Sequence, residues 1–168
     1  MPASASPDAG RSPRSGSTSE RANGAHAAVF IVHSLTHAVA ALEAAAEARR
    51  AITLLSAPAA GIYAGPGWWK AVIDAARGAV PAARFVAILD CGGDAGAAQG
   101  AIRAGVETLV FTGRADAAER LKATAAAMGS QLLTQRPDAV LDLGRWFFAD
   151  GGTLRARCAE VFGAAGRQ

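Results

Sequence analysis

The chain has 168 residues, a formal charge of +3 and a hydrophobic fraction of 51%. That leaves room for one domain with a proper core. The positive charge is nearly all Arg, scattered without a basic stripe or interleaved aromatics, which argues against nucleic acid as a partner. No apolar stretch approaches the roughly 20 residues of a membrane span.

Residues 1–25 hold Ser, Pro, Gly, Ala and Arg with no large apolar residue after Met1. Such a stretch buries too little surface to offset its ordering entropy, so a disordered N-terminal tail is expected. It has no apolar h-region and does not read as a secretory signal. The single domain is expected over 26–168.

Residues 27–32 (AAVFIV) read as the first strand, with His33 and Ser34 at its exit. A helix follows over 37–50, with Leu35, Val39 and Leu42 inward. The second strand is 51–55. A long Gly/Pro loop then spans 56–67, well above the usual length of a strand-to-helix link. Pro66 suits the first turn of a helix over 68–77, whose inner face holds Trp69, Val72, Ile73 and Ala76. The stretch 84–113 organises the rest. Apolar Phe85 to Leu89 ends on Asp90, the Gly-rich turn of Cys91, Gly92 and Gly93 follows, and Asp94 opens a helix that Gly105 closes. A fourth strand runs over 108–112. Asp116 and Glu119 have the form of a capping box for the next helix, with Leu121 and Met128 inward. The fifth strand is 131–134. Pro137 is expected to start a helix to about Phe148. A last helix over 154–162 places Leu154, Cys158, Val161 and Phe162 on one side.

Strands that are continuous apolar runs suit a parallel sheet covered on both faces. Five of them alternating with helices predict an α/β fold. The expected form is a doubly wound, open, parallel five-stranded sheet of flavodoxin-like order 2-1-3-4-5, with helices on both faces.

From Phe111 onward the chain resembles the second half of a response-regulator receiver domain. The stretch FTGRADAAERLKATAAAMGSQLLTQRP carries the resemblance: a strand ending in Thr, a helix, a Gly, a fifth strand and a basic-Pro pair. The resemblance covers about a third of the chain. It implies that Thr112 matches the family's switch residue and Asp90 its phospho-accepting Asp. His33 and Ser34 stand where that family has an acidic pair for Mg²⁺, and Arg136 stands where it has Lys. The resemblance therefore implies a receiver-like domain without phosphotransfer, since Mg²⁺ prefers carboxylate oxygens.

Ligands of open α/β sheets sit outside the carboxyl ends of the strands. That places Ser34, Ser56 to Gly61, Asp90 to Asp94 and Thr112 around one crevice. Asp90 is read as a base or ligand holder, or as a cap of the following turn. Cys91, before a helix N-terminus, is expected to have a lowered thiol pKa, and with His33 it could form a nucleophile pair. Gly92, Gly93 and Asp94 offer a weak phosphate-type turn. Tyr63 and Trp68 on the long loop could wall the crevice, and Arg114 could pair with an anion. The catalytic candidates are therefore Asp90, Cys91 and His33. No metal site is expected, because His33 and His37 straddle a strand end and a helix start.

Cys91 and Cys158 are the only cysteines, too few for a disulfide framework, and read as reduced thiols in a cytoplasmic protein. The leading functional expectation is a domain binding a small polar or anionic ligand, with no cofactor. The rivals are a receiver-like interaction module, with a protein partner or a second copy of itself, and a Cys/His-dependent enzyme.

Overall fold

The computed structural model describes residues 27–165, so the expected N-terminal tail lies outside the described residues. The described residues form six strands, the first five alternating with helices: β1 (Ala28–Val32), β2 (Ile52–Ser56), β3 (Phe85–Asp90), β4 (Thr108–Val110), β5 (Gln131–Leu133) and β6 (Leu141–Asp142). The helices are α1 (Leu35–Glu47), α2 (Ala60–Tyr63), α3 (Gly65–Ala79), α4 (Ala95–Arg103), α5 (Ala115–Ala127) and α6 (Gly151–Ala165). The α/β class and the parallel sheet are as expected, and all described strand pairs are parallel.

The strand order is not as expected. The sheet reads β5-β4-β3-β2-β1-β6, not the flavodoxin-like 2-1-3-4-5, and it has six strands rather than five. From β1 to β5 each strand lies beside the one before it. Right-handed crossovers that always step the same way leave their helices on one face. The packing agrees. Buried residues from α1, α3, α4, α5 and α6 share one core with Phe30, Val32, Ile52, Leu54, Leu89 and Leu109. The opposite face holds a small separate cluster built from strands alone: Leu55, Ile88 and Val110, flanked by Val29, Ile31 and Leu133. Sequential parallel strands with helices on one side are the arrangement of a βα-barrel segment, and the doubly wound expectation is corrected accordingly.

Strand registry assigns the two faces. Ile31, Leu55 and Ile88 are lateral neighbours, as are Asp90 and Val110. In a pleated strand every second side chain shares a face. Thr53, Val86, Thr108 and Gln131 therefore belong to the helix-free face together with Leu55, Ile88, Val110 and Leu133. So do Asp90, His33 and Asp142 at its carboxyl end.

Further differences are local. The helix expected from Pro137 to Phe148 is replaced by an irregular link, the two-residue strand β6 and a 3₁₀ turn, Leu143–Trp146. The long loop after β2 holds α2, and α3 starts at Gly65. The residue that caps α5 is Arg114, without a side-chain bond, while Asp116 sits inside the first turn and pairs with Arg114 and Arg120. Met128, expected inward, is exposed.

Candidate functional site

The residues at the carboxyl ends of β1, β2, β3 and β6 build two polar clusters at the carboxyl edge of the sheet. One belongs to Asp90. Its side chain is almost wholly buried, and both oxygens are engaged. Oδ1 accepts the N–H of Gly92 at 2.7 Å and of Ala59 at 3.2 Å. Both donors lie in left-handed backbone, Ala59 at φ 56 and Gly92 at φ +55. For Ala such a conformation costs on the order of 1 kcal/mol and needs support, which the carboxylate supplies. Oδ2 pairs with Arg136, whose other terminal nitrogen donates to the Ser56 carbonyl at 2.9 Å. The Asp90 N–H in turn donates to the Ser56 hydroxyl at 2.9 Å, and that hydroxyl donates to the Ala57 carbonyl. Arg136 lies on the link from β5 to β6. It therefore fastens that link across the ends of β2 and β3, with Asp90 as its buried anchor.

The second cluster lies at the ends of β1 and β6. His33 Nε2 meets Asp142 Oδ1 at 2.7 Å, and the same oxygen accepts the Gly144 N–H at 2.8 Å. Partial burial pushes the Asp142 carboxyl up. The Gly144 N–H, the hydrogen bond and charge of His33, and the charge of Arg136 outweigh it and hold the pKa below the ordinary value. Asp142 is thus an ionised acceptor, so His33 Nε2 is the donor. The His33 main-chain N–H donates to His37 Nδ1 at 3.2 Å, which fixes His37 as the Nε2–H tautomer. The His37 main-chain N–H donates to Ser34, the N-cap of α1. His37 is fully buried. Desolvation and His33 lower its pKa, against Asp142 and the Phe147 backbone. Among the described residues no atom stands in hydrogen-bond geometry to His37 Nε2. The Phe147 main chain thus acts on it as a weak electrostatic neighbour, while the Phe147 ring stands edge-on at 5.5 Å.

Cys91 departs from expectation. Burial first, then the charges of Asp90 and Asp94, push its thiol up to about 12, and the side chain is fully buried. The lowering expected from the helix N-terminus is thus reversed, by burial first and by the two carboxylates second. Gly61 packs against this thiol, so closely that a Cβ there would meet Sγ at 2.8 Å. Cys158 is also buried, with its thiol pushed up to about 12 by desolvation.

The Gly-rich turn is likewise occupied by the protein itself. Gly92 N–H serves Asp90, Asp94 N–H serves the Cys91 carbonyl, and Asp94 caps α4 through Ala97 N–H at 2.7 Å. The Gly92 carbonyl accepts from Thr112 N–H, and Gly93 and Thr112 are exposed. Arg114 is exposed and paired with Asp116. Tyr63 is exposed and Trp68 half-buried against Trp69. The structure thus brings His33, Ser34, Ser56 and Asp90 to one edge, and leaves Tyr63, Trp68 and Arg114 outside both clusters. Arg136 and Asp142 were not among the sequence-derived candidates, because both lay in or beside the expected helix after Pro137. One cleft opens between α3 and the link from α4 to β4, beside Lys70 and Arg77, and another between α4 and α5, beside Gln99 and Arg120; neither includes the strand-end residues. Among the described residues no group of three or more His, Cys, Asp or Glu could hold a metal ion.

No family model matches the chain, and no curated protein does. Among solved structures it is similar to one described as "a putative fructose-1,6-biphosphate aldolase" from Coccidioides immitis. The TM-score is 0.52 at 16% identity, over 79% of this chain and 52% of the other. The chain thus spans about half the length of that structure. A likeness at this identity is one of fold alone.

Proposed function

We propose that the carboxyl edge of the sheet, on its helix-free side, binds a small polar ligand beside His33 and Asp142. The observation that carries the reading is the His33–Asp142 pair at 2.7 Å, set at the ends of two strands with His33 one quarter and Asp142 nearly half exposed (25% and 45%). Open α/β sheets and βα-barrels both place their ligands at this edge. A neutral ligand fits better than an anionic one. Asp90 already neutralises Arg136, Asp142 is a second carboxylate at this edge, and the N–H groups of Gly92 and Asp94 are in use. The phosphate esters suggested by the structural neighbour's name are for the same reason the poorer fit.

A thermal-shift screen of the full chain against polyols, amides, nucleosides and sugar phosphates tests this. A ligand at 100 times its dissociation constant adds about 2.7 kcal/mol of stability. The expected result is stabilisation by a neutral polar compound that His33→Gln abolishes. Stabilisation that survives His33→Gln, or none at all, counts against it.

A second reading is an interaction module. Leu35, Ile62, Tyr63, Phe147 and Phe148 are exposed and follow the carboxyl ends of β1, β2 and β6, with Phe148 96% accessible. An apolar rim of this kind favours a protein partner or a second copy. For its receiver-like form, the Asp90–Arg136 pair speaks in favour and the sheet order against.

A further inference from the structure

Three separate features converge on one imidazole. Asp142 accepts a hydrogen bond from His33 Nε2–H, and the Gly144 N–H holds that carboxylate in place. Gly144 also leaves the room, since a Cβ there would stand 2.7 Å from His33 Nε2 and 2.9 Å from Cε1. His37 holds the His33 main chain at the end of β1. With the proton on Nε2, the lone pair is on Nδ1. Among the described residues nothing bonds to Nδ1, and the side chain is 25% exposed. A mere tie between β1 and the turn after β6 needs only the Nε2 contact. The fixed tautomer and an Nδ1 without a hydrogen-bond partner among the described residues are what a proton acceptor needs.

We infer that His33 is a general base, with Asp142 as its positioning carboxylate, that takes a proton from a neutral hydroxyl group, either a substrate's or a water's. The O–H bond breaks as the Nδ1–H bond forms, and the oxygen keeps the electron pair. The imidazolium so formed faces Asp142, and the proton returns to product. Asp142, Arg136 and His37 are the described titratable groups about this ring, and Arg136 is neutralised by Asp90, so Asp142 supplies the counter-charge. The inference rests on the proposed binding edge and adds a reaction to it.

The test uses the free full-length protein, so a negative ligand screen does not decide it. Long-range ¹H–¹⁵N correlation of the three histidines, assigned with His33→Gln, reads the tautomer. Diethyl pyrocarbonate with peptide mass spectrometry reads reactivity residue by residue. The expected result is His33 as the Nε2–H tautomer and acylated at Nδ1, while His37 is protected until the protein unfolds. Asp142→Asn should lose the tautomer preference and slow acylation of His33 about tenfold, since the carboxylate no longer faces the ring. An Nδ1–H tautomer, or acylation of His33 indifferent to Asp142→Asn, would overturn the inference. The binding edge would then survive as a purely structural pair with a ligand beside it.

Discussion

Asp90 and Asp142 are both carboxylates at strand ends on the same face of the same sheet, yet the protein uses them in opposite ways. Asp90 has 5% of its side chain accessible, Arg136 on one oxygen and two main-chain N–H groups on the other. Three of its roughly four acceptor sites are taken, and its charge is buried and already paired. Asp142 is 45% accessible and uses one oxygen for both His33 and Gly144. Position at the carboxyl edge is therefore not enough to mark a functional carboxylate. What separates the two is whether a cation of the protein's own has already claimed the charge.

The comparison breaks first at Arg136. Arg136→Met strands the buried Asp90 carboxylate and should destabilise the fold by ~3 kcal/mol in urea unfolding, as for one broken half of a buried pair. The double change with Asp90→Asn should recover part of that loss. A cost below about 0.5 kcal/mol for Arg136→Met would place this ion pair among exposed pairs of little worth. The next effect lies at the other corner. Gly144→Ala puts a methyl against the His33 ring and should cost about 1–2 kcal/mol by overpacking, with loss of the His33–Asp142 contact in the NMR spectrum. Unchanged stability and an intact contact would show that the turn gives way freely.

Acid should sharpen the difference further. The folded-state pKa of His37 lies below its ordinary 6.5, because burial outweighs the groups that favour its charge. The unfolded chain therefore takes up that proton first. The contribution of a neutral His37 is complete above about pH 6.5 and is lost as pH falls below it. The melting temperature should fall on acidification through this window, and His37→Asn, which keeps an acceptor for the His33 N–H, should flatten the slope. A profile identical to wild type would remove His37 from the account. The smallest effect concerns the thiols. Cys91 and Cys158, both buried and both with pKa values pushed up to about 12, should resist iodoacetamide equally until the protein unfolds. Fast labelling of Cys91 alone would restore the activated thiol.

Much of the element pattern was legible in the sequence. Five apolar strands, the Asp94 cap of α4 and the inward face of α3 with Trp69, Val72, Ile73 and Ala76 all follow from period and turn chemistry. The sheet order was not, since βα units that step sequentially and units that reverse carry the same local signals. One signal was nevertheless present. Thr53, Thr108 and Gln131 share a parity with the inner residues Leu55, Val110 and Leu133, and a face with polar residues at its amino end is not one that helices cover. The second half of the candidate site was hidden for a different reason. The apolar spacing of Val140, Leu141 and Phe147 fits a helix, but Val140 and Phe147 are exposed and β6 pairs with β1 instead. Asp142 reaches His33 only through that pairing, over a separation of 109 residues.

The division of labour between the two carboxylates is tested most directly by comparing two isosteric changes under identical conditions. Urea unfolding of Asp90→Asn should show a loss of ~2 kcal/mol, since a buried charged hydrogen-bond acceptor is removed from Arg136 and from two main-chain donors. Asp142→Asn should cost less than about 1 kcal/mol, as expected for a partly exposed pair. Equal losses, or a larger loss at Asp142, would contradict the account and return Asp90 to the list of groups available for a ligand.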